Sequence, residues 1–168
     1  MHVRKFQIAV IGYNGDRCSD EARALAYETG KEIAKAGAVL VCGGLGGVME
    51  AACRGAKDAG GTTVGIIPQD DFSHANKYCD IVVCSTIGFA RDFIVASSAD
   101  GIVAVGGGVG TLTELSIGYM MKKPMAAVAG SGGIADSYGG KYLDERKRVQ
   151  IKVAKNPAEA VKIVMPKG

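Results

Sequence analysis

The sequence predicts a three-layer, Rossmann-like α/β fold, a doubly wound and mostly parallel sheet forming one domain over residues 1–168. Three observations carry this expectation. Short β-branched runs alternate with segments of helical periodicity. The apolar runs are nearly continuous, so both sheet faces must be covered, as crossover helices on a parallel sheet do. Glycine clusters stand where those runs end. With 168 residues, 48% hydrophobic and 22% charged, the chain fits one compact core and would crowd a second.

Taken in order, a strand over Gln7 to Ile11 ends in Gly12-Tyr13-Asn14-Gly15. Ser19 to Ala36 reads as a helix, with Ala22, Leu25, Ala26 and Ile33 on one face, Ser19 as N-cap and Gly37 as the stop. A strand over Ala38 to Cys42 runs into Gly43-Gly44-Leu45-Gly46-Gly47, then a helix over Val48 to Ala59 closed by Gly60-Gly61. Thr62 to Ile67 and Ile81 to Cys84 are the next strands. A helix over Phe89 to Ala99 leads to a strand over Gly101 to Val105. The loop Gly106-Gly107-Gly108-Val109-Gly110 opens a helix over Thr111 to Met121, which stops before Pro124. Met125 to Ala129 is a strand, and Gly130 to Gly140 is expected to be a flexible insertion. A last strand near Val149 to Ala154 and a helix over Pro157 to Val164 complete a βαβαβ–βαβαβ order with one further unit.

Charge and cysteine usage narrow the function classes. The formal charge of +3 is too small to argue a nucleic-acid partner. It is uneven, with residues 141–168 at +5 and the remainder at −2, and a basic terminal segment is usually a solvated helix face. Five cysteines, Cys18, Cys42, Cys53, Cys79 and Cys84, include no C-x-x-C pair and read as reduced thiols. Cys79 and Cys84 flank an apolar run, but neither His2 nor His74 completes a ligand set. Small buried hydrophobes are the expectation, with no metal. No signal-peptide stretch and no run of about 20 apolar residues is present, so the expected location is the cytoplasm, away from membranes. Leu115, Ile117, Met120 and Met121 exceed what one sheet face needs and predict a homo-oligomer.

Ligands of open α/β sheets bind at the carboxyl edge of the strands, where helix N-termini present unpaired amides. Three glycine-rich turns fall there, and Gly12, Asn14, Gly43, Gly44, Gly47, Gly107, Gly108, Gly110 and Thr111 are the candidate binding residues. Glycines let backbone amides approach an anion, and Thr111 adds a hydroxyl. The third turn is the best phosphate site. The G-x-G-x-x-G fingerprint is absent after the first strand, and Cys42 stands where a ribose-binding acid would end the second, which disfavours NAD. A Walker Gly-Lys-Ser/Thr is also missing. Arg91 and Glu114 are the charged candidates, one as a bidentate phosphate clamp and the other for ribose hydroxyls or charge at an anomeric carbon. Pairing of these residues with each other or with Asp92 is the structural alternative. Ser85, Ser97 and Ser98 have no histidine partner for nucleophilic chemistry.

The segments I-G-Y-N, C-G-G-L-G-G-V-M-E-A, G-A-K-D-A-G-G-T-T-V-G-I-I-P, G-F-A-R-D-F-I-V-A-S-S-A-D and V-G-G-G-V-G-T-L-T-E resemble the LOG and molybdenum-cofactor carrier-like superfamily, which includes the DprA/Smf-type Rossmann domain. The resemblance covers nearly the whole chain, and Ala90-Arg91-Asp92 and A-G-G-T-T-V-G-I-I-P look more like the carrier branch. It implies a binding protein for molybdenum cofactor or a nucleotide monophosphate. The LOG branch implies a hydrolase of nucleoside 5′-monophosphates, with Arg91 and Glu114 at its arginine and glutamate positions. This chain reads G-F-A-R-D where LOG enzymes read M-H-E-R-K, and Val105 replaces the proline before the glycines. A DprA-like single-stranded DNA binder is the third class, disfavoured by 6% aromatic content and no tryptophan. Superfamily labels as lysine decarboxylase require a cofactor-bearing lysine, and none stands at a strand end.

Overall fold

A computed structural model of the protein describes residues 4–166, so His2 and the extreme ends of the predicted domain lie outside the described residues. Seven strands form one sheet: β1 (Gln7–Gly12), β2 (Val39–Cys42), β3 (Thr62–Ile67), β4 (Ile81–Cys84), β5 (Gly101–Val105), β6 (Met125–Val128) and β7 (Ile151–Ala154). Their spatial order is β4-β3-β2-β1-β5-β6-β7, and every neighbouring pair is parallel. Six helices cover it: α1 (Asp20–Lys35), α2 (Val48–Asp58), α3 (Arg91–Ser98), α4 (Val109–Met120), α5 (Gly133–Tyr138) and α6 (Pro157–Val164).

Strand alternation divides the core into two layers. Ile8, Val10, Leu40, Cys42, Val103 and Val105 pack with Ala22, Ala52 and Ala160 of α1, α2 and α6. Ala9, Ile11, Val41, Ile102 and Ala104 pack with Val95, Leu115 and Ala135 of α3, α4 and α5. Successive residues point to opposite faces, so an unbroken apolar strand feeds both layers. Each fully buried Ile or Leu contributes about 1.5–3 kcal/mol. On the first face α1 and α2 cross so closely that a Cβ on Gly30 or Gly55 would overlap the backbone of Ala52 or Tyr27.

The caps follow the sequence reading at α1. Ser19 Oγ accepts from the Ala22 amide at 3.1 Å, and Gly37 takes a positive φ after the last turn. Three expectations shift. The predicted helix from Phe89 begins at Arg91, and residues 88–90 form a 3-10 turn that carries the chain into it. The helix after β5 starts at Val109, two residues before Thr111, because Gly108 ends the extended backbone. Residues 130–140 are no flexible insertion. They contain α5, whose Ile134 and Ala135 amides donate to the carbonyls of Gly107 and Gly106, both at 2.9 Å. The apolar residues expected to mark an oligomer also divide, since Leu115 and Ile117 are buried in the core while Met120 and Met121 are exposed. No helix among the described residues is long and apolar enough to cross a membrane.

Candidate functional site

Strand order reverses at β1, which has β2 on one side and β5 on the other. At such a point the connections leave toward opposite faces and open a crevice at the strand ends. The register sets Gly12 beside Val105, so the turns after β1 and β5 leave the sheet side by side. Between them lies a cleft of about 290 Å³. Gly12, Asn14, Gly43, Arg91, Gly108, Gly110, Thr111 and Glu114, all singled out from sequence, line it together.

Gly44, Gly47 and Gly107 do not line it, and their glycines answer other needs. A Cβ on Gly44 would sit 2.6 Å from Ile67 Cγ2, and one on Gly47 2.6 Å from the carbonyl carbon of Asn14. Gly107 holds φ at +98°, and a Cβ there would overlap the Thr111 side chain. These are close approaches of chain to chain. The sequence cannot separate them from binding glycines, because both demand the absence of a side chain.

The three turns also differ in what their amides can offer. Around the second turn, Val48 N donates to the Tyr13 carbonyl at 2.9 Å, Gly46 N to Asn14 Oδ1 at 3.2 Å and Gly44 N to Cys42 Sγ at 3.3 Å. Asn14 Oδ1 also accepts from Gly15 N at 2.8 Å, so this side chain stitches the first two turns together. At α4 the first-turn amides of Val109, Gly110 and Thr111 have no intrahelical acceptor. That helix end, with its positive dipole, faces the cleft. The third turn is itself braced from behind. Ser131 Oγ accepts from Gly106 N at 2.8 Å and donates to the Val128 carbonyl at 2.6 Å. The Tyr13 ring lies against Gly106.

Three ionisable groups form the floor. The Arg91 guanidinium rests on Gly43, where a Cβ would come within 2.8 Å of Nη2, and Nη1 pairs with the Asp92 carboxylate. Its Nε is buried and has no partner. Asp92 and Glu114 are each 6% exposed. Burial raises the Asp92 pKa against the pull of Arg91. Burial, then the Asp92 charge, pushes Glu114 up to about 8, with Arg91 opposing. At neutral pH Glu114 is therefore mainly a neutral carboxylic acid, while the guanidinium keeps donors to spare for an anion.

The pairing with Asp92 that sequence reasoning held as the alternative for Arg91 is present, within the cleft lining rather than in place of it, and what sequence reasoning missed among the lining is Met49. Phe89, 94% exposed, stands at the rim with Arg17. A large aromatic just before a helical Arg-Asp pair is the signal that was present for Phe89. Ser131 gave none, since its role depends on a contact between the turns that follow β5 and β6.

The SLOG cluster4 family matches the chain over residues 5–161. An uncharacterized protein of Archaeoglobus fulgidus is 40% identical over 126 residues, 75% of this chain and 82% of its own. The molybdenum cofactor binding protein of the phototrophic bacterium Rippkaea orientalis superposes with a TM-score of 0.86 at 30% identity, over 97% of both chains. The molybdenum cofactor carrier protein MCP of Chlamydomonas reinhardtii does so with a TM-score of 0.79 at 34% identity, over 95% of both.

Proposed function

The chain belongs to the SLOG cluster4 family, and from that premise we propose that it is a carrier for a phosphate-bearing small ligand of the molybdenum-cofactor class. The observation that carries this reading is the meeting, in one cleft, of free amides at the start of α4 with the Arg91 guanidinium, which lines the same cleft. An anionic phosphate satisfies both at once. The apolar side of the cleft, with Leu45, Met49 and Phe89, suits a flat heterocycle such as a pterin. The solved structures of molybdenum cofactor binding and carrier proteins, alike over nearly their whole length, support the same class.

A phosphoribohydrolase is the second reading, favoured by Arg91 and Glu114 lying in the same cleft. Burial keeps Glu114 mostly protonated at pH 7, so in that reaction it would serve as a general acid to the leaving base rather than as an anion stabilising the oxocarbenium-like centre. Carriage requires neither role. The exposed Phe93 on α3, Met120 at the end of α4 and Met121 just after it fit self-association as part of the same reading.

Titration of the purified protein with molybdenum cofactor, read by native mass spectrometry, tests the carrier. One ligand per cleft is expected, with binding abolished by Gly110→Val, whose side chain enters the cleft. Equal affinity of the variant, or no retention of cofactor by the native chain, overturns the reading. Incubation with AMP and related monophosphates is expected to release no free base; release that Glu114→Gln abolishes would establish the hydrolase instead.

A further inference from the structure

We propose that Cys42, Cys53 and Cys79 form a three-sulfur site for one thiophilic metal ion of low coordination number, with monovalent copper as the ion it fits. The residues come from the end of β2, the middle of α2 and the loop entering β4, and none of them lines the cleft. The Cys42 and Cys53 sulfurs are 3.4 Å apart, those of Cys53 and Cys79 are 4.0 Å apart, and all three lie within 4.8 Å of one another. Three thiolates in a plane, each about 2.3 Å from one ion, are separated by roughly 4.0 Å. Shifts of a few tenths of an ångström would therefore centre an ion among them.

The surroundings are built rather than accidental. A Cβ on Gly65 would stand 2.6 Å from Cys79 Sγ, so glycine there keeps the sulfur clear. The loop bearing Cys79 is anchored without a metal. Asn76 N donates to the Gly44 carbonyl at 2.8 Å, and its Nδ2 donates to the Leu45 carbonyl at 3.0 Å. On the far side of Cys79, Asp80 accepts from Thr63 N at 2.9 Å and Lys57 Nζ at 2.5 Å. Cys42 and Cys53 are fully buried, while Cys79 is half-buried and gives an ion its way in. The Gly44 amide already donates to Cys42 Sγ, a bond that stabilises a thiolate.

Soft sulfur ligands select monovalent copper, zinc or iron–sulfur clusters. Zinc is almost always four-coordinate in structural sites, and among the described residues no histidine or carboxylate joins the three sulfurs. Monovalent copper is content with three sulfurs. Packed, unreactive thiols are the competing reading of the same cluster.

The test is anaerobic competition between the reduced, full-length protein and a chromogenic chelator for monovalent copper, with X-ray absorption at the copper edge. One copper per chain with three sulfur ligands is expected, accompanied by a rise in Tm. Cys79→Ser should weaken retention by roughly a hundredfold or more, since losing even an outer-shell partner costs about 10–100-fold, whereas Cys18→Ser and Cys84→Ser should bind as the native chain does. Cys53→Ala, read in the same competition, serves if Cys79→Ser does not fold. Copper left with the chelator, coordination by fewer than three sulfurs, or a cluster variant that competes as well as the native chain overturns the proposal.

Discussion

Glu114 makes the floor of the cleft sensitive to pH in a direction set by its burial. Its folded pKa of about 8 lies above the ordinary value near 4.5, so the folded state holds a proton that the unfolded chain releases. Below about pH 4.5 both states are protonated and the residue is neutral for stability. As pH rises toward 8, the native protein loses stability by up to about 1.4 kcal/mol per unit. Glu114→Gln removes that loss. Its melting temperature should exceed the native value by several degrees at pH 8 and match it near pH 4.5; an advantage that does not change with pH would show that the carboxyl is not protonated when folded. The same titration governs the ligand. Affinity for a phosphorylated ligand should fall as pH passes about 8, because Glu114 then adds a negative charge beside Arg91 and Asp92. Arg91 and Glu114 were legible from their places beside glycine-rich turns. The protonation of Glu114 was not, because it depends on the depth of α4 against α3.

Turns of the same composition do opposite work in this fold, and substitution separates them. Gly107 holds a left-handed backbone with Thr111 packed against its Cα, so Gly107→Ala must displace the start of α4. A loss of roughly 1–3 kcal/mol is expected, measured by denaturant unfolding. Gly110 has only Asp92 Oδ2 near its missing Cβ, at 3.5 Å. Gly110→Val should therefore unfold within about 1 kcal/mol of the native chain while losing the ligand; a Gly110 variant that unfolds early would place this glycine with the structural group. The element boundaries tell a parallel story. The strands and the long helices were legible because period and burial agree along each of them. The helix α5 was not, since its six residues, Gly-Ile-Ala-Asp-Ser-Tyr, carry too few turns for a period. What makes it is tertiary: Asp136 accepts from the Gly130 and Gly132 amides, both at 2.9 Å, and the Gly106 and Gly107 carbonyls accept from its first turn. The segment read as loose is the brace of the turn between β5 and α4.

Across the whole molecule, one sheet order delivers both the cleft and an exposed face beside it. The three-layer architecture was readable because parallel strands buried on both sides must be apolar throughout, and the glycine turns marked the edge at which the cleft opens. Sequence could not say which surface residues stay uncovered, since helical spacing places Leu115 and Met120 in one apolar run while the fold buries the first and exposes the second. Phe93, in the first turn of α3, is 54% exposed and Met120, at the end of α4 away from the cleft, is 59% exposed, while Phe89 stands at the cleft rim. Large apolar side chains exposed along one helix pair are candidates for burial against a partner. The self-association proposed above would bring a second copy of the chain against α3 and α4, and a closed contact of that kind makes a specific prediction. Sedimentation equilibrium should return a mass that is a multiple of 17.3 kDa, and the double change Phe93→Glu with Met120→Glu should return the monomer with its fold and its cleft intact. A native chain that sediments as a monomer at all concentrations, or a double variant that still associates, would rule out this face as the contact. Because Phe89 lines the cleft two residues before α3 begins, a contact on α3 should strengthen ligand binding and be strengthened by it, and the variant monomer should bind more weakly than the native assembly.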